Sequence, residues 1–131
     1  MPATLFDKPT LFDKLWDQHV VCRLEDGSDL IYIDRIFLHE RTGSIALQRI
    51  EADGRRVRAP EHVFCTMDHI VDTFPGRTDE TLMPSGKDFI RTTRQAALDA
   101  GIHLFDLDDP RQGIVHVVSP EQGIALPGVT L

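Results

Sequence analysis

The sequence has two cysteines in 131 residues, Cys22 and Cys65, far apart and forming no CxxC. A structural zinc or an iron–sulfur cluster takes three or four thiolate or imidazole ligands, so this chain alone is not expected to hold a cluster. The two thiols read instead as buried cytosolic cysteines. Basic residues are also short, 14 Lys and Arg against 21 Asp and Glu, for a formal net charge of −7. That balance excludes nucleic acid as an expected partner, because phosphate binding needs clustered cations. It leaves room for a small anionic substrate, which a few local arginines can hold. No apolar run approaches the length of a membrane span, so no membrane association is expected. Asp7 and Lys8 interrupt any apolar stretch at the start, which argues against a secretory signal and for a cytoplasmic location. The 41% hydrophobic and 27% charged residues suit a globular chain, read as a single α/β domain over 1–131 with a core of its own.

The elements follow from periodicity and punctuation. A short direct repeat, Thr4 to Lys8 and Thr10 to Lys14, opens the chain. The first copy reads as a loose extension. The second starts a helix capped by Thr10, with Leu11, Leu15 and Val20 or Val21 roughly on one face. Asp29 to Asp34 is apolar and β-branched, and predicts a strand. Thr42 or Ser44 caps a second helix that carries Ile45, Leu47 and Ile50 and stops at Gly54. His62 to Met67 predicts another strand. The segment 72–84, rich in Pro, Gly, Thr and charge, reads as an exposed loop. Ser85 caps the clearest helix, with Phe89, Ile90, Thr93, Ala96, Ala97 and Ala100 on one side and Gly101 as its stop. Ile102 to Leu107 is the third strand. Residues 114–122 fit either a strand or a short helix, and 124–131 reads as a last strand. Strands alternating with helical crossovers imply an α/β fold, a mostly parallel sheet with flanking helices.

Ligands of open parallel sheets bind beyond the carboxyl ends of the strands. That rule selects His39 and Glu40 after the first strand and a short extension, and Asp68 and His69 after the second. It selects Asp108, Asp109 and Arg111 after the third, with His116 just beyond. Asp68-His69 is the sharpest pair. A carboxylate that orients an imidazole fixes its tautomer and lets the ring hold and deliver a proton; alternatively, Asp68 caps a turn at a strand exit. Arg111 has the fork geometry to bind a substrate carboxylate, or it pairs with Asp108 or Asp109 beside it. His39-Glu40 is a substrate-side pair or a polar strand exit. His116 is a site residue or a histidine satisfied within an apolar run. Arg55, Arg56 and Arg58 read as a solvated surface patch.

Two blocks, Met67-Asp68-His69 and the run from Asp109-Pro-Arg-Gln-Gly-Ile-Val-His116 to Leu-Pro-Gly-Val-Thr-Leu131, carry a resemblance. With them the sequence resembles the aconitase superfamily, most closely the family of large subunits of bacterial 3-isopropylmalate dehydratase. The similarity is close at 10–21, 30–40, 55–69 and 102–131, and weak from 71 to 85. It implies part of the first aconitase-like α/β/α domain, an amino-terminal segment of a hydro-lyase that isomerises 2- and 3-isopropylmalate in leucine biosynthesis. It also implies Asp68, His69 and His116 as catalytic residues, with Arg111, His39 and Glu40 on the substrate side. The Asp-His pair of such enzymes helps protonate the hydroxyl that leaves as water. The family's 4Fe–4S cluster acts as a Lewis acid in the full-length enzyme. Its ligands are expected beyond Leu131, past a Cys-Gly-Asp-Ser-His-Thr block, so the isolated chain should bind no cluster and be inactive. The partners implied are the remainder of the large subunit, a small dehydratase subunit and a hydroxy-dicarboxylate substrate.

One departure bears on substrate. After His39-Glu40 the common pattern gives way to Arg41-Thr-Gly-Ser-Ile45-Ala-Leu47, which keeps open a related enzyme of homoaconitase or dimethylmalate dehydratase type. Outside enzymes, the alternative is a non-catalytic α/β domain that binds a small acid or a protein. Finally, Val129-Thr130-Leu131 read as a strand entering the sheet presents an open edge, which predicts self-association as a dimer.

Overall fold

A computed structural model describes residues 8–131; most of the first repeat copy, expected as a loose extension, lies outside the described residues. Helix α1 (Leu11–His19) begins where the sequence predicts. Asp13 donates its backbone N–H to Thr10 Oγ1, and its carboxylate accepts the Thr10 N–H at 2.7 Å, a reciprocal capping box. Its end differs from expectation. Val20 and Val21 leave the helix and start strand β1 (Val20–Arg23), which pairs antiparallel with β2 (Asp29–Ile31). The turn between them is built by Asp26, whose carboxylate accepts from the Ser28 backbone and hydroxyl, and by Gly27 at φ +85°. Only glycine takes that conformation without strain. Cys22 lies on this hairpin and is exposed rather than buried.

The expected strand 29–34 is therefore two elements. Residues 29–31 belong to the hairpin, and the first parallel strand is β3 (Ile36–His39). The break comes from Asp34, whose side chain turns away to bind elsewhere. Strands β3, β4 (Val63–Thr66) and β5 (His103–Phe105) form a parallel sheet in the order β3-β4-β5, with Ile36 opposite Val63 and Phe64 opposite His103. Helices α2 (Gly43–Ala52) and α3 (Gly86–Ala100) make the crossovers. Alternation along β4 sends Val63 and Cys65 to one face, against Leu47 of α2, Ala97 of α3 and Ile102. Phe64 goes to the other face, where Phe105, Val118 and Ile124 pack with Phe37. The result is three layers, helix–sheet–helix. Residues 114–122, left open by the sequence, contain the short helix α4 (Val115–Glu121) of the second face.

Two further expectations are corrected. Ser85 precedes α3 but does not cap it: it sits at φ 61°, left-handed, and its side chain makes no cap bond. The chain turns this tightly because Gly86 is wedged against the loop, where a Cβ would stand 2.7 Å from Thr81 Cγ2 and 2.8 Å from Ile70 Cγ2. Residues 124–131 form no strand. Arg35 Nη1 takes the carbonyls of Gly123 and Ile124, and Thr130 donates its N–H to Asp34 Oδ2 at 2.8 Å. The Asp34 N–H in turn donates to Thr130 Oγ1 at 2.9 Å. With these backbone groups taken and Pro127 interrupting the run, no ladder forms, and the open terminal edge that predicted a dimer is not there.

Asp34 also joins α1 to this clasp. His19 lies between the Leu15 carbonyl, 2.6 Å from Nδ1, and Asp34 Oδ2, 2.7 Å from Nε2. Both partners only accept, so the arrangement favours the doubly protonated ring, in which both nitrogens donate. The Leu15 carbonyl chiefly raises its pKa and burial opposes the shift, while Asp34 adds to it and is itself held ionised. A folded pKa raised above the unfolded value stabilises at low pH, and that stability is lost as pH rises through the folded value. Urea midpoints of wild type and His19→Gln, compared from about pH 5.5 to about pH 8.5 around the ordinary imidazole range, should differ most at the acid end and converge at the alkaline end. A constant gap would mean that His19 acts here without its charge.

Candidate functional site

The carboxyl edge of the sheet gathers most of the residues that the strand-end rule selects. Strand β3 delivers His39 and Glu40, and β4 delivers Met67, Asp68 and His69. Asp68 is almost fully enclosed, its side chain 3% exposed, while that of His69 is 41% exposed. His69 Nδ1 donates to Asp68 Oδ1 at 2.6 Å. The other Asp68 oxygen accepts the backbone N–H of Val115 at 2.8 Å, where α4 begins. The carboxylate is thus fixed from two sides, and the ring proton of neutral His69 is held on Nδ1. Nε2 is the atom left to gain or lose a proton, and it has no hydrogen-bond partner among the described residues.

His39 stacks on His69, ring centroids 3.9 Å apart and planes 18° from parallel. Burial, and then the neighbouring His69, push its pKa below the ordinary imidazole value. Both effects favour the uncharged form of His39. Its Nδ1 is buried without a partner, and its Nε2 lies 3.4 Å from Thr42 Oγ1.

Glu40, expected on the substrate side, is fully buried. Oε2 accepts the Asp68 N–H at 3.0 Å, and Oε1 accepts the N–H of His69 at 2.6 Å and that of Ile70. Its carboxylate is committed to the backbone. Arg111 is committed as well: it grips Asp109 with Nε and Nη2 at 3.0 and 2.7 Å, holds that carboxyl down at about 2, and lies over the Phe105 ring. Of the two readings open in the sequence, the geometry matches the ion pair. His116 is exposed on α4 with no hydrogen bond to the Asp68–His69 pair; it follows Val115, whose N–H binds Asp68.

Other residues that frame this edge carried no visible signal in the sequence. Gln112 donates to the Met67 carbonyl and accepts from Arg77, tying the loop after β5 and the loop 72–84 to the exit of β4. Arg94 of α3 bridges Asp106 and Asp79, which keep its guanidinium charged. The pairing partners lie 12 and 15 residues away in sequence, beyond the reach of any local pattern. Arg55, Arg56 and Arg58 are exposed, as a surface patch requires.

Ligand atoms of His39, Glu40, Asp68 and His69 lie within 4.8 Å of one another, close enough for a divalent cation. Both carboxylates are already spent, Glu40 on three N–H groups and Asp68 on His69 and Val115. What remains is two stacked imidazoles, an arrangement suited to holding a proton. The cysteines do not fit an iron–sulfur cubane. Cys22 stands exposed on the hairpin, and Cys65 is enclosed in the core, where burial and then Glu40 and Asp68 push its thiol up to about 12. A ligand thiol must be deprotonated, and no third cysteine accompanies them. No helix among the described residues is long and apolar enough to cross a membrane.

The three-layer parallel fold agrees with a comparison against known families. The profile of the Aconitase family (aconitate hydratase) matches residues 13–131, nearly the whole chain, and includes every residue of the site. The chain belongs to the aconitase family.

Proposed function

We propose that this chain is the amino-terminal part of a hydro-lyase of 3-isopropylmalate dehydratase type, which interconverts 2- and 3-isopropylmalate by loss and readdition of water. The observation that carries the proposal is the Asp68–His69 pair, with its Nδ1 bond at 2.6 Å and an outward, unpartnered Nε2. Protonated His69 gives the Nε2 proton to the substrate hydroxyl. The carbon–oxygen bond breaks with its electron pair on oxygen, and water leaves. A base outside residues 1–131 takes the proton from the neighbouring carbon, and the double bond forms. His69 keeps its aim throughout because Asp68 neither moves nor changes partners.

The family's cluster supplies Lewis acidity, and the residues of this chain do not fit it, so its ligands belong to other parts of the enzyme. A remainder of the large subunit and a small subunit complete the site. Ile114, Val117 and Leu126, each about half exposed, give that remainder an apolar surface to cover. Under anaerobic reconstitution with iron and sulfide, the 131-residue chain should develop no stoichiometric charge-transfer absorption and turn over neither isopropylmalate. A stable cluster on this chain would overturn the assignment of ligands.

A related hydroxy-diacid enzyme, of homoaconitase or dimethylmalate dehydratase type, draws support from one observation: Ile45 is 59% exposed on the first turn of α2, just after His39-Glu40. The commitment of Arg111 to Asp109 favours the other alternative, a non-catalytic domain. Relative kcat/KM of the intact enzyme on isopropylmalate, homoaconitate and dimethylmalate separates the three. Preference for isopropylmalate supports the proposal, preference for another diacid moves the substrate, and turnover of none returns the chain to a binding role.

A further inference from the structure

We propose that Glu40 is the positioning residue of this site: its buried carboxylate, bound by the N–H groups of Asp68, His69 and Ile70, sets the turn that aims the Asp68–His69 pair. The inference rests on the reading of that pair given above, but it concerns a residue that touches no substrate.

Three successive N–H groups do not converge by default. Along an extended strand they point alternately to opposite sides. Here β4 ends at Thr66, and the N–H groups of residues 68, 69 and 70 all turn toward one carboxylate. That convergence bends the chain, so the Asp68 side chain meets Val115 and the His69 ring lies against Asp68. Glu40 can be the anchor because it is itself pinned. It follows the last residue of β3, paired with β4 in register at His39 and Thr66. Its carbonyl accepts the hydroxyl of Thr93, a fully buried residue of α3, at 3.0 Å. The neighbouring His39 holds the face of the His69 ring. One dipeptide therefore fixes His69 twice, through its backbone and through its ring.

The choice of residue is costly. Burying a carboxylate away from water is unfavourable by several kcal/mol unless its oxygens are satisfied. No cation pairs with Glu40 among the described residues. Charge-assisted bonds to three N–H groups offset the cost, but a neutral side chain or a glycine turn closes a strand exit more cheaply. A fully buried carboxylate with no cationic partner among the described residues, set under the oriented imidazole of this site, is explained if the site needs the rigidity it confers.

The test has two arms. In the labelled 131-residue chain, the neutral tautomer of His69 is read from its side-chain nitrogen shifts. Wild type should show the Nδ1–H form. Glu40→Gln, whose amide turns a donor toward backbone donors, should shift the ring toward Nε2–H while core methyl shifts near Phe105 stay in place. An unchanged tautomer in Glu40→Gln overturns the proposal. In the intact enzyme, Glu40→Gln should lower kcat by about 10–100-fold, the usual cost of losing a group that orients a functional side chain, with KM little changed. Added to His69→Ala it should cost almost nothing more; additive losses would overturn the proposal. A shifted tautomer with full activity would leave the positioning intact and sink the proton-delivery reading instead. Should Glu40→Gln and Glu40→Asp both fail to fold, wild type decides: scalar couplings across the hydrogen bonds from the 68–70 amide nitrogens to the Glu40 carboxyl carbon support the cradle, and their absence removes it.

Discussion

In the intact enzyme, His69→Ala should lower kcat by about 10²–10⁴-fold, the range lost with a general acid, and leave KM nearly unchanged. The split follows from where the proton is needed. A donor to a departing hydroxyl interacts most strongly as the carbon–oxygen bond breaks, so its removal raises the barrier and barely alters ground-state binding. Asp68→Asn should be defective as well, by a smaller factor. The amide oxygen still accepts from His69 Nδ1, but its NH₂ then faces the Val115 N–H, which now finds Asp68 Oδ2 at 2.8 Å, and the imidazolium loses its counter-charge. Steady-state kinetics in both directions of the proposed isomerisation check the pair. A His69 variant with near-normal kcat would make Asp68 a turn-capping residue and nothing more.

The largest structural effect is expected at Phe105. Its side chain is 2% exposed, in the centre of the face shared with Val118, Ile124, Phe37 and Phe64. Its ring meets Phe37 edge-on at 6.1 Å and His103 at 4.5 Å, and Arg111 lies 5.2 Å above it. Phe105→Ala removes these contacts together and leaves a cavity that a parallel strand cannot collapse to fill. Such changes cost about 3–5 kcal/mol, a large share of the roughly 5–15 kcal/mol that holds a domain folded. Urea unfolding measures it. A loss below about 1.5 kcal/mol, the range of a volume-conserving swap, would mean that the α4 layer is not packed on the sheet as described. Because α4 begins at the N–H that binds Asp68, the same variant should also loosen the site.

The sequence was legible where a pattern is local and repeated. Helix α3 showed its apolar stripe and its glycine stop, and β4 and β5 showed as apolar runs between turn residues. The carboxyl-edge rule then selects Asp68, His69, His39 and Glu40 from the sequence. It failed where the deciding partner is distant. Asp26-Gly27 between two apolar runs is a hairpin signal, yet Val20 and Val21 also fit a helix face, and periodicity places them there. Nothing near Asp34 announces Thr130, so residues 29–34 read as one strand and 124–131 as another. Glu40 illustrates the same limit on the site itself. Its position was found but its task was not, because three N–H groups some 28 to 30 residues further on leave no trace around residue 40.

The clasp between Asp34 and Thr130 joins residues 96 apart, and this separation has a consequence for how the chain comes to be folded. Closing a ring of that length costs about 4 kcal/mol of chain entropy by the (3/2)RT ln n rule, so the contact belongs late on the folding route, after the sheet has brought its ends together. A ribosome delivers the hairpin first. Until residues 118–130 have been made, the sheet face at Phe37 and Phe64 lacks Val118 and Ile124, and the nascent chain is open to mispairing for that interval. The native connection that seals α1 and the hairpin to the rest is in this way also a timer, one that sets how long the growing chain depends on something else to keep it from sticking.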